Sequence, residues 1–358
     1  MSNKYSNLKI FHYTEKLDSL SQKNDQIQPP IHIRIKPTNV CNHSCWYCSY
    51  QSLDDIQLGK DMVLKDMIPK DKMMQIIDDC MEMNVEAITF SGGGEPFMYP
   101  HFLDVVKKLS KSNIKFSSLT NGSKLKGELA EIFAKNAQWI RISIDGWDDK
   151  SYAQYRSIKE GEFSKIIQNM KDFTTIPNRI CNLGVSFIID KENYQHIYSF
   201  VKLMKDIGVD SIKLAPCIVD NDGAKNNIYH NEFYKLAKEL CIKTKEELEN
   251  ENFEIFDSYH LLSEKFDKNY SWCPYTQINP VIGADMRVYT CHDKAYNLET
   301  GSLGTIKDID FKELWMNNKA KFFNVNPQKD CHHHCAVNEK NKMILDYLNI
   351  DTDHIGFV

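Results

Sequence analysis

Three cysteines, Cys41, Cys45 and Cys48, stand in the stretch PTNVCNHSCWYCSY with the spacing C-x3-C-x2-C. Spacing this tight gathers three thiolates around one inorganic centre without help from elsewhere in the chain. Two occupants compete for such a set. A structural zinc ion wants four protein ligands, and His43 or His32 would have to supply the fourth. An iron–sulfur cluster held by three cysteines keeps one iron open, as a catalytic metal keeps one position for its substrate. Directly after a strand is an odd place for a closed staple, so the cluster is the favoured occupant.

Four more cysteines, Cys273, Cys291, Cys331 and Cys335, lie in WCPYTQ, VYTCHDK and DCHHHC. They suffice for a tetrahedral zinc or a second cluster that stabilises a small, irregular segment. His332, His333 and His334 read as solvated loop residues beside them. Cys80 and Cys241 fall on helical patterns as small hydrophobes, and Cys181 precedes a strand. Cys217, in KLAPC, ends a strand and is expected to face the mouth, with a buried or rim thiol as the plain reading and a catalytic group as the other. Elsewhere, SGGGEP (Ser91 to Pro96) lets a ligand approach the backbone closely, and Glu95 can accept hydrogen bonds from an ammonium group. The stretch lacks both G-x-G-x-x-G and G-K-[ST], so nucleotide phosphates are not favoured there. LTNG and SIDG are polar strand ends of the kind at which parallel α/β proteins collect ligands. Asp145 in SIDG reads equally as a turn or helix-cap residue.

The elements that must position these groups alternate. Strands are predicted at Ile31–Lys36, Ala87–Phe90, Ile114–Leu119, Trp139–Ile144, Leu183–Ile189 and Ser211–Ala215, with amphipathic helices over Lys70–Met83, His101–Ser112, Lys126–Lys135, Phe163–Phe173 and Tyr194–Ile207. Six strand–helix units imply a parallel sheet, doubly wound or curled into a barrel. After Cys217 the rhythm stops. A charged helix is expected over Asn227–Asn250, then short strands at Val281–Ile282 and Arg287–Thr290 and a helix near Asp310–Trp315. The expected division is a polar extension over 1–28 draped on the outside, a core barrel over 29–245, and a connecting segment with an appended domain over 246–358.

Composition narrows the class. The 358 residues are 42% hydrophobic and 26% charged, ordinary for a globular chain. Forty-four basic against 49 acidic residues give a net charge of −5, too mild for a nucleic-acid binder. There is no apolar secretory core at the start and no apolar run long enough to span a bilayer. A cytoplasmic location, where thiols stay reduced, follows as the expectation, and the odd total of 11 cysteines there suggests metal ligands rather than disulfides.

CNHSCWYC, with Tyr47 directly before the third cysteine, resembles the signature of the radical S-adenosylmethionine (SAM) enzymes. The resemblance implies a [4Fe-4S] cluster on Cys41, Cys45 and Cys48, its open iron chelated by the amino and carboxylate groups of SAM, with Tyr47 near the adenine. SGGGEP is similar to the family's GGE motif, which implies that Gly93, Gly94 and Glu95 meet the methionyl amine. By the same resemblance Ser143 approaches the ribose and carboxylate of SAM, Arg156 approaches the carboxylate, and Ser186 and Ile188 border the adenine. The four later cysteines resemble the single-auxiliary-cluster version, called twitch, of SPASM domains, implying an auxiliary [4Fe-4S] cluster on Cys273, Cys291, Cys331 and Cys335. The chain departs from the longer SPASM pattern: it ends in C-x3-C, has no glycine four residues ahead of Cys291, and has no cysteine beyond Cys335. The implied fold is α/β, a partial (β/α)6 TIM-like barrel with a small α+β C-terminal iron–sulfur domain.

The activity implied is reductive cleavage of SAM, fed by an external donor such as flavodoxin or ferredoxin, followed by removal of a hydrogen atom from a small polar molecule resembling a sugar or aminocyclitol. Oxidation of that substrate (dehydrogenation) is the favoured outcome, with the auxiliary cluster taking the second electron. The alternatives are an epimerase in which Cys217 donates a hydrogen atom, a peptide-modifying SPASM enzyme, and, from another class, a non-catalytic iron–sulfur or zinc-binding protein. About 30 residues precede the first strand, too few for an independent leader-binding domain, which favours the small molecule.

Overall fold

Short β-branched runs separated by amphipathic segments can bury their apolar faces only by stacking helices against a sheet, and the computed structural model, which describes residues 6–50, 59–259, 262 and 268–357, has that architecture. The strands are β1 (His32–Ile35), β2 (Ala87–Phe90), β3 (Lys115–Thr120), β4 (Trp139–Ser143), β5 (Asn182–Ile189), β6 (Ser211–Pro216), β7 (Glu254–Asp257), β8 (Val281–Ile282), β9 (Arg287–Tyr289) and β10 (Ser302–Thr305). The helices are α1 (Thr14–Ser19), α2 (Lys70–Glu82), α3 (Phe102–Leu109), α4 (Gly127–Asn136), α5 (Asp149–Arg156), α6 (Glu162–Thr174), α7 (Ile197–Ile207), α8 (Gly223–His230), α9 (Tyr234–Leu248), α10 (Phe311–Met316), α11 (Pro327–Asp330) and α12 (Asn338–Leu348).

All ten strands form one sheet in the order β10-β9-β8-β1-β2-β3-β4-β5-β6-β7. Strands β1 to β7 run parallel in chain order. On the far side of β1, β8 adds in parallel with Arg34 opposite Val281, and β9 and β10 continue antiparallel. Alternate strand residues, among them Ile33, Ile35, Ile88, Phe90, Ile140, Ile142, Val185, Phe187, Ile212 and Leu214, are buried in one core with Met73, Ile77, Val105, Phe133, Ile166 and Phe200 of the helices. The opposite face carries polar groups. His32 Nε2 meets Thr89 Oγ1 at 2.8 Å, and Thr89 Oγ1 meets Ser117 Oγ at 2.8 Å, a ladder across β1, β2 and β3.

Several expectations change. A seventh parallel strand, β7, follows the acidic stretch, and the single helix expected over Asn227–Asn250 is two, α8 and α9. Residues 6–28 do not simply drape over the outside. Ile10, Leu17 and Leu20 form a separate apolar cluster with Ile278 and Ile344, because α1 offers its apolar side to the C-terminal α12. Lys319 donates through Nζ to the carbonyls of Ser19, Ser21 and Asn24, satisfying backbone oxygens that follow α1. Among the described residues no helix is long and apolar enough to cross a membrane.

Candidate active site

The C-terminal ends of the parallel strands surround a cavity of about 370 Å³, within the range of ligand pockets. Cys41, Cys45, Tyr47 and Cys48 line it from the loop after β1, Gly93, Gly94 and Glu95 from the loop after β2, and Ser143 and Arg156 from β4 and α5. Residues that stand far apart in the chain thus meet at one site.

Arg156 and Asp145 form its buried ion pair. The guanidinium also donates to the Ser143 carbonyl at 2.9 Å, to Ser143 Oγ at 3.1 Å and to Cys45 Sγ at 3.1 Å. Asp145 accepts from the Tyr47 hydroxyl and, at 3.0 Å, from the Ile188 N–H. Burial opposes the charge on Arg156, but Tyr47, Asp145 and Cys45 outweigh it and hold the guanidinium firmly protonated. Glu95 is buried too. Burial pushes its carboxyl up, while hydrogen bonds from Thr120 Oγ1 (2.6 Å), the Asn121 N–H (2.7 Å) and the Phe97 N–H (3.0 Å) pull it back. With about four acceptor positions on a carboxylate, one remains for a ligand.

The glycine run has a different immediate role from the one expected. A Cβ at Gly93 would stand 2.1 Å from Asn39 Oδ1, and one at Gly94 would stand 2.2 Å from the Val40 carbonyl oxygen. The cysteine-bearing loop itself therefore occupies the space that side chains would need. Backbone bonds from Gly94 to Thr38 (3.2 Å) and from Glu95 to Val40 (3.0 Å) clamp the two loops together. Asn39 is held in turn by the buried Tyr296 hydroxyl at 2.5 Å, so the C-terminal segment braces this loop.

Both sets of cysteines fit a metal cluster. None of the thiols is in a disulfide. Burial raises the Cys41 and Cys331 thiols to about 11 and pushes Cys273, Cys291 and Cys335 upward, with neighbouring thiols adding to the effect on Cys41, Cys291, Cys331 and Cys335. Such groups become thiolates when a cationic centre compensates them. N–H donors already point at sulfurs of both sets, His43 N–H at Cys41 (3.4 Å), Arg156 at Cys45 and Asn341 at Cys273 (3.2 Å). Among the described residues, the group of three or more potential ligands whose atoms all lie within 4.8 Å of one another is Asp293, His333 and Cys335. Ligands of a single tetrahedral zinc sit within about 4 Å of each other. Neither cysteine set is drawn in that closely, and soft sulfur donors at wider spacing suit the corners of an iron–sulfur cluster. His43, on the first cavity's wall, keeps both ring nitrogens buried without a partner, a polar edge available to a bound group.

A second cavity of about 320 Å³ adjoins the first, sharing Ser49, Tyr50, Gly92, Leu119 and Ile218 in their linings. Its other walls include Arg34 and Lys36 from the β1 side and His292, Asp293, His333 and His334 from the C-terminal cysteine loops.

Two expected residues do not reach the first cavity. Ser186 lies on β5 beside Ser143 and Lys213 in register, whereas Ile188, expected with it, does line the cavity. Cys217 is fully buried and does not face the mouth. The cavity is lined by Pro216 and Ile218, and in extended chain the residue between them points to the other side. His333 is buried and paired with Asp293 (3.5 Å) rather than solvated. Asn39 and Tyr296, and the basic pair Arg34 and Lys36, are residues that motif reading missed, and Asp145, weighed there as a turn or cap, is instead the buried counter-ion of Arg156. Basic residues at alternating positions of HIRIK were the available signal for Arg34 and Lys36.

A family model described as the radical SAM superfamily matches residues 35–216, just over half of the chain. The cysteine-type anaerobic sulfatase-maturating enzyme of Clostridium novyi (strain NT) is 27% identical over 311 residues, which cover 81% of this chain and 80% of that protein. The tungsten-containing aldehyde ferredoxin oxidoreductase cofactor-modifying protein of Pyrococcus furiosus is 22% identical over 311 residues, 82% of either chain. Among solved structures, Streptococcus suis SuiB bound to precursor peptide SuiA superposes with a TM-score of 0.60 at 16% identity, over 89% of this chain and 72% of that one. A tagged anSMEcpe with bound AdoMet gives a TM-score of 0.60 at 22% identity, over 82% of this chain and 83% of that one. These two likenesses establish a shared fold, the α/β partial barrel.

Proposed function

The chain belongs to the radical SAM superfamily, and from that premise we propose that it is a radical SAM oxidoreductase that removes a hydrogen atom from a polar substrate held between its two cysteine sites. The observation that carries this reading is the pair of adjoining cavities, the first lined by Cys41, Cys45 and Cys48 and the second by residues flanking Cys291 and Cys335. When bound, a [4Fe-4S] cluster on Cys41, Cys45 and Cys48 supplies the electron that splits SAM into methionine and a hydrogen-abstracting 5′-deoxyadenosyl radical, and a second cluster on Cys273, Cys291, Cys331 and Cys335 supplies an electron acceptor.

The chain's own residues bind and exclude. The remaining acceptor position of Glu95 suits an ammonium group, and Arg156, fixed by Asp145, orients Cys45 while offering a buried Nε that has no partner. Leu119, Ile188, Pro216 and Ile218 keep the first cavity largely apolar, which restrains water where a reactive radical must survive. Residues 29–245 make up the radical SAM core in this proposal and residues 246–358 a SPASM/twitch-type segment, with a flavodoxin or ferredoxin as electron donor. The substrate proposed is a small polar molecule. A second reading, a peptide side chain, is favoured by the likeness to a sulfatase-maturating enzyme and to the peptide-bound SuiB.

Anaerobic reconstitution with iron and sulfide, reduction, and chromatographic detection of 5′-deoxyadenosine test the proposal. Wild-type protein is expected to cleave SAM, and a triple Ala replacement of Cys41, Cys45 and Cys48 to abolish cleavage while cluster absorbance from the C-terminal site persists. Absence of 5′-deoxyadenosine from the wild type, or its persistence in the triple variant, overturns the reading. Stimulation of cleavage by sugars or by peptides separates the two substrate classes.

A further inference from the structure

The second cavity collects hydrogen-bond donors that no described residue uses. Arg34 projects from β1 into it, and its guanidinium makes no hydrogen bond or ion pair with any described residue. Lys36, two residues on and fully buried, gives one N–H to Tyr50 Oη at 2.9 Å and another to the Gly92 carbonyl, leaving a third. Ser91 Oγ lines the same cavity and is buried with no partner among the described residues. Of the acids that line it, Asp220 is paired with Lys225 at 2.9 Å, and Asp293, 3.1 Å from His292 and 3.5 Å from His333, also attracts Arg34 and Lys36 without an ion pair to either, one carboxylate against two cations. Two cations side by side in an interior cavity repel one another, and burial together with Arg34 pushes Lys36 downward. An arrangement of this kind is costly unless an anion completes it.

We propose that this cavity binds an oxyanion of the substrate, a phosphate or a carboxylate, with Arg34 as the principal anchor and Lys36 and Ser91 as further donors. The planar fork of Arg34 matches either group bidentately. This deepens the proposed function, on which it rests, by naming the chemistry at one end of the substrate: an anionic head fixed by β1, with the rest of the molecule extending past Tyr50 and Gly92 toward the first cavity.

The test uses anaerobically reconstituted protein and two probes, inorganic pyrophosphate and succinate, titrated calorimetrically. At least one is expected to bind, and Arg34→Gln to weaken it roughly tenfold to a hundredfold, as befits the loss of charge-assisted hydrogen bonds. Lys235→Gln, an exposed cation on α9, serves as the surface control and is expected to bind like the wild type. Preference for pyrophosphate identifies a phosphorylated substrate, and preference for succinate a carboxylate. In unmutated protein a saturating probe is also expected to protect Arg34 from phenylglyoxal, which keeps the test valid should the variant fail to fold. Failure of both probes to bind, equal binding by Arg34→Gln, or unprotected Arg34 overturns the inference. Wild-type SAM cleavage is measured separately. Cleavage without anion binding sinks this inference alone, whereas absence of cleavage sinks the reading beneath it.

Discussion

Asp145 does more at this site than any residue of the recognised motifs. Its carboxylate takes bonds from Tyr47, Arg156 and the Ile188 N–H, and its carbonyl takes one from Asn193 at 3.0 Å, so one side chain joins the cysteine loop, β4, β5 and α5. Replacing Asp145 with Asn leaves Arg156 charged and buried without its counter-ion. Breaking a buried pair in this way costs roughly 3–5 kcal/mol. A large fall in Tm is therefore expected, with weakened SAM binding by calorimetry, and an unchanged Tm would show that the pair is not structural. The cysteines and the glycine–glutamate stretch were legible because their chemistry is local and dense. Asp145 was not, because an Asp before a helix reads as a cap, and its partners lie far away at positions 47, 156 and 188.

At the scale of elements, helices are joined by side chains that cap one another across the core. Asp79 on α2 accepts from the N–H groups of Phe311 (2.8 Å) and Lys312 (3.3 Å), capping α10 from a distant helix. Loss of an N-cap acceptor costs about 1 kcal/mol. Asp79→Ala is accordingly expected to lower Tm by about 2 °C, and Asp79→Asn, which retains an oxygen acceptor, to recover most of it. Equal Tm values for Asp79→Ala and wild type would remove this role. Strands β1 to β6 were readable from alternation and several helices from their apolar stripe. Helix α5, DKSYAQYR, is mostly polar and gives no clear apolar stripe, and β7, EIFD, escaped notice because four residues after an acidic stretch carry too little pattern. The break between α8 and α9 has no glycine or proline to mark it.

For the whole molecule, the N-terminal segment fastens the two ends of the chain together. Leu17 is completely buried between Ile278 and Ile344, and the Trp315 indole donates to the Gln28 carbonyl at 3.0 Å. Leu17→Ala is expected to cost 2–5 kcal/mol, in the usual range for a buried leucine, and to speed proteolysis of the C-terminal segment before the barrel is cut. Uniform digestion of both would contradict this. No local pattern could have announced the arrangement, since polar spacing around a few leucines looks the same whether a segment is docked or free.

The position of β1 also bears on how the chain is made. The strand that presents Cys41, Cys45 and Cys48 finds its second neighbour only at Val281–Ile282, near the far end of the chain. During synthesis from the N-terminus, β1 is an open edge, a template for unwanted pairing, until residues 281–282 have emerged. Closing so long a loop is a slow, non-local step. The brace that Tyr296 gives Asn39 of the cysteine loop therefore forms only after residue 296 has emerged.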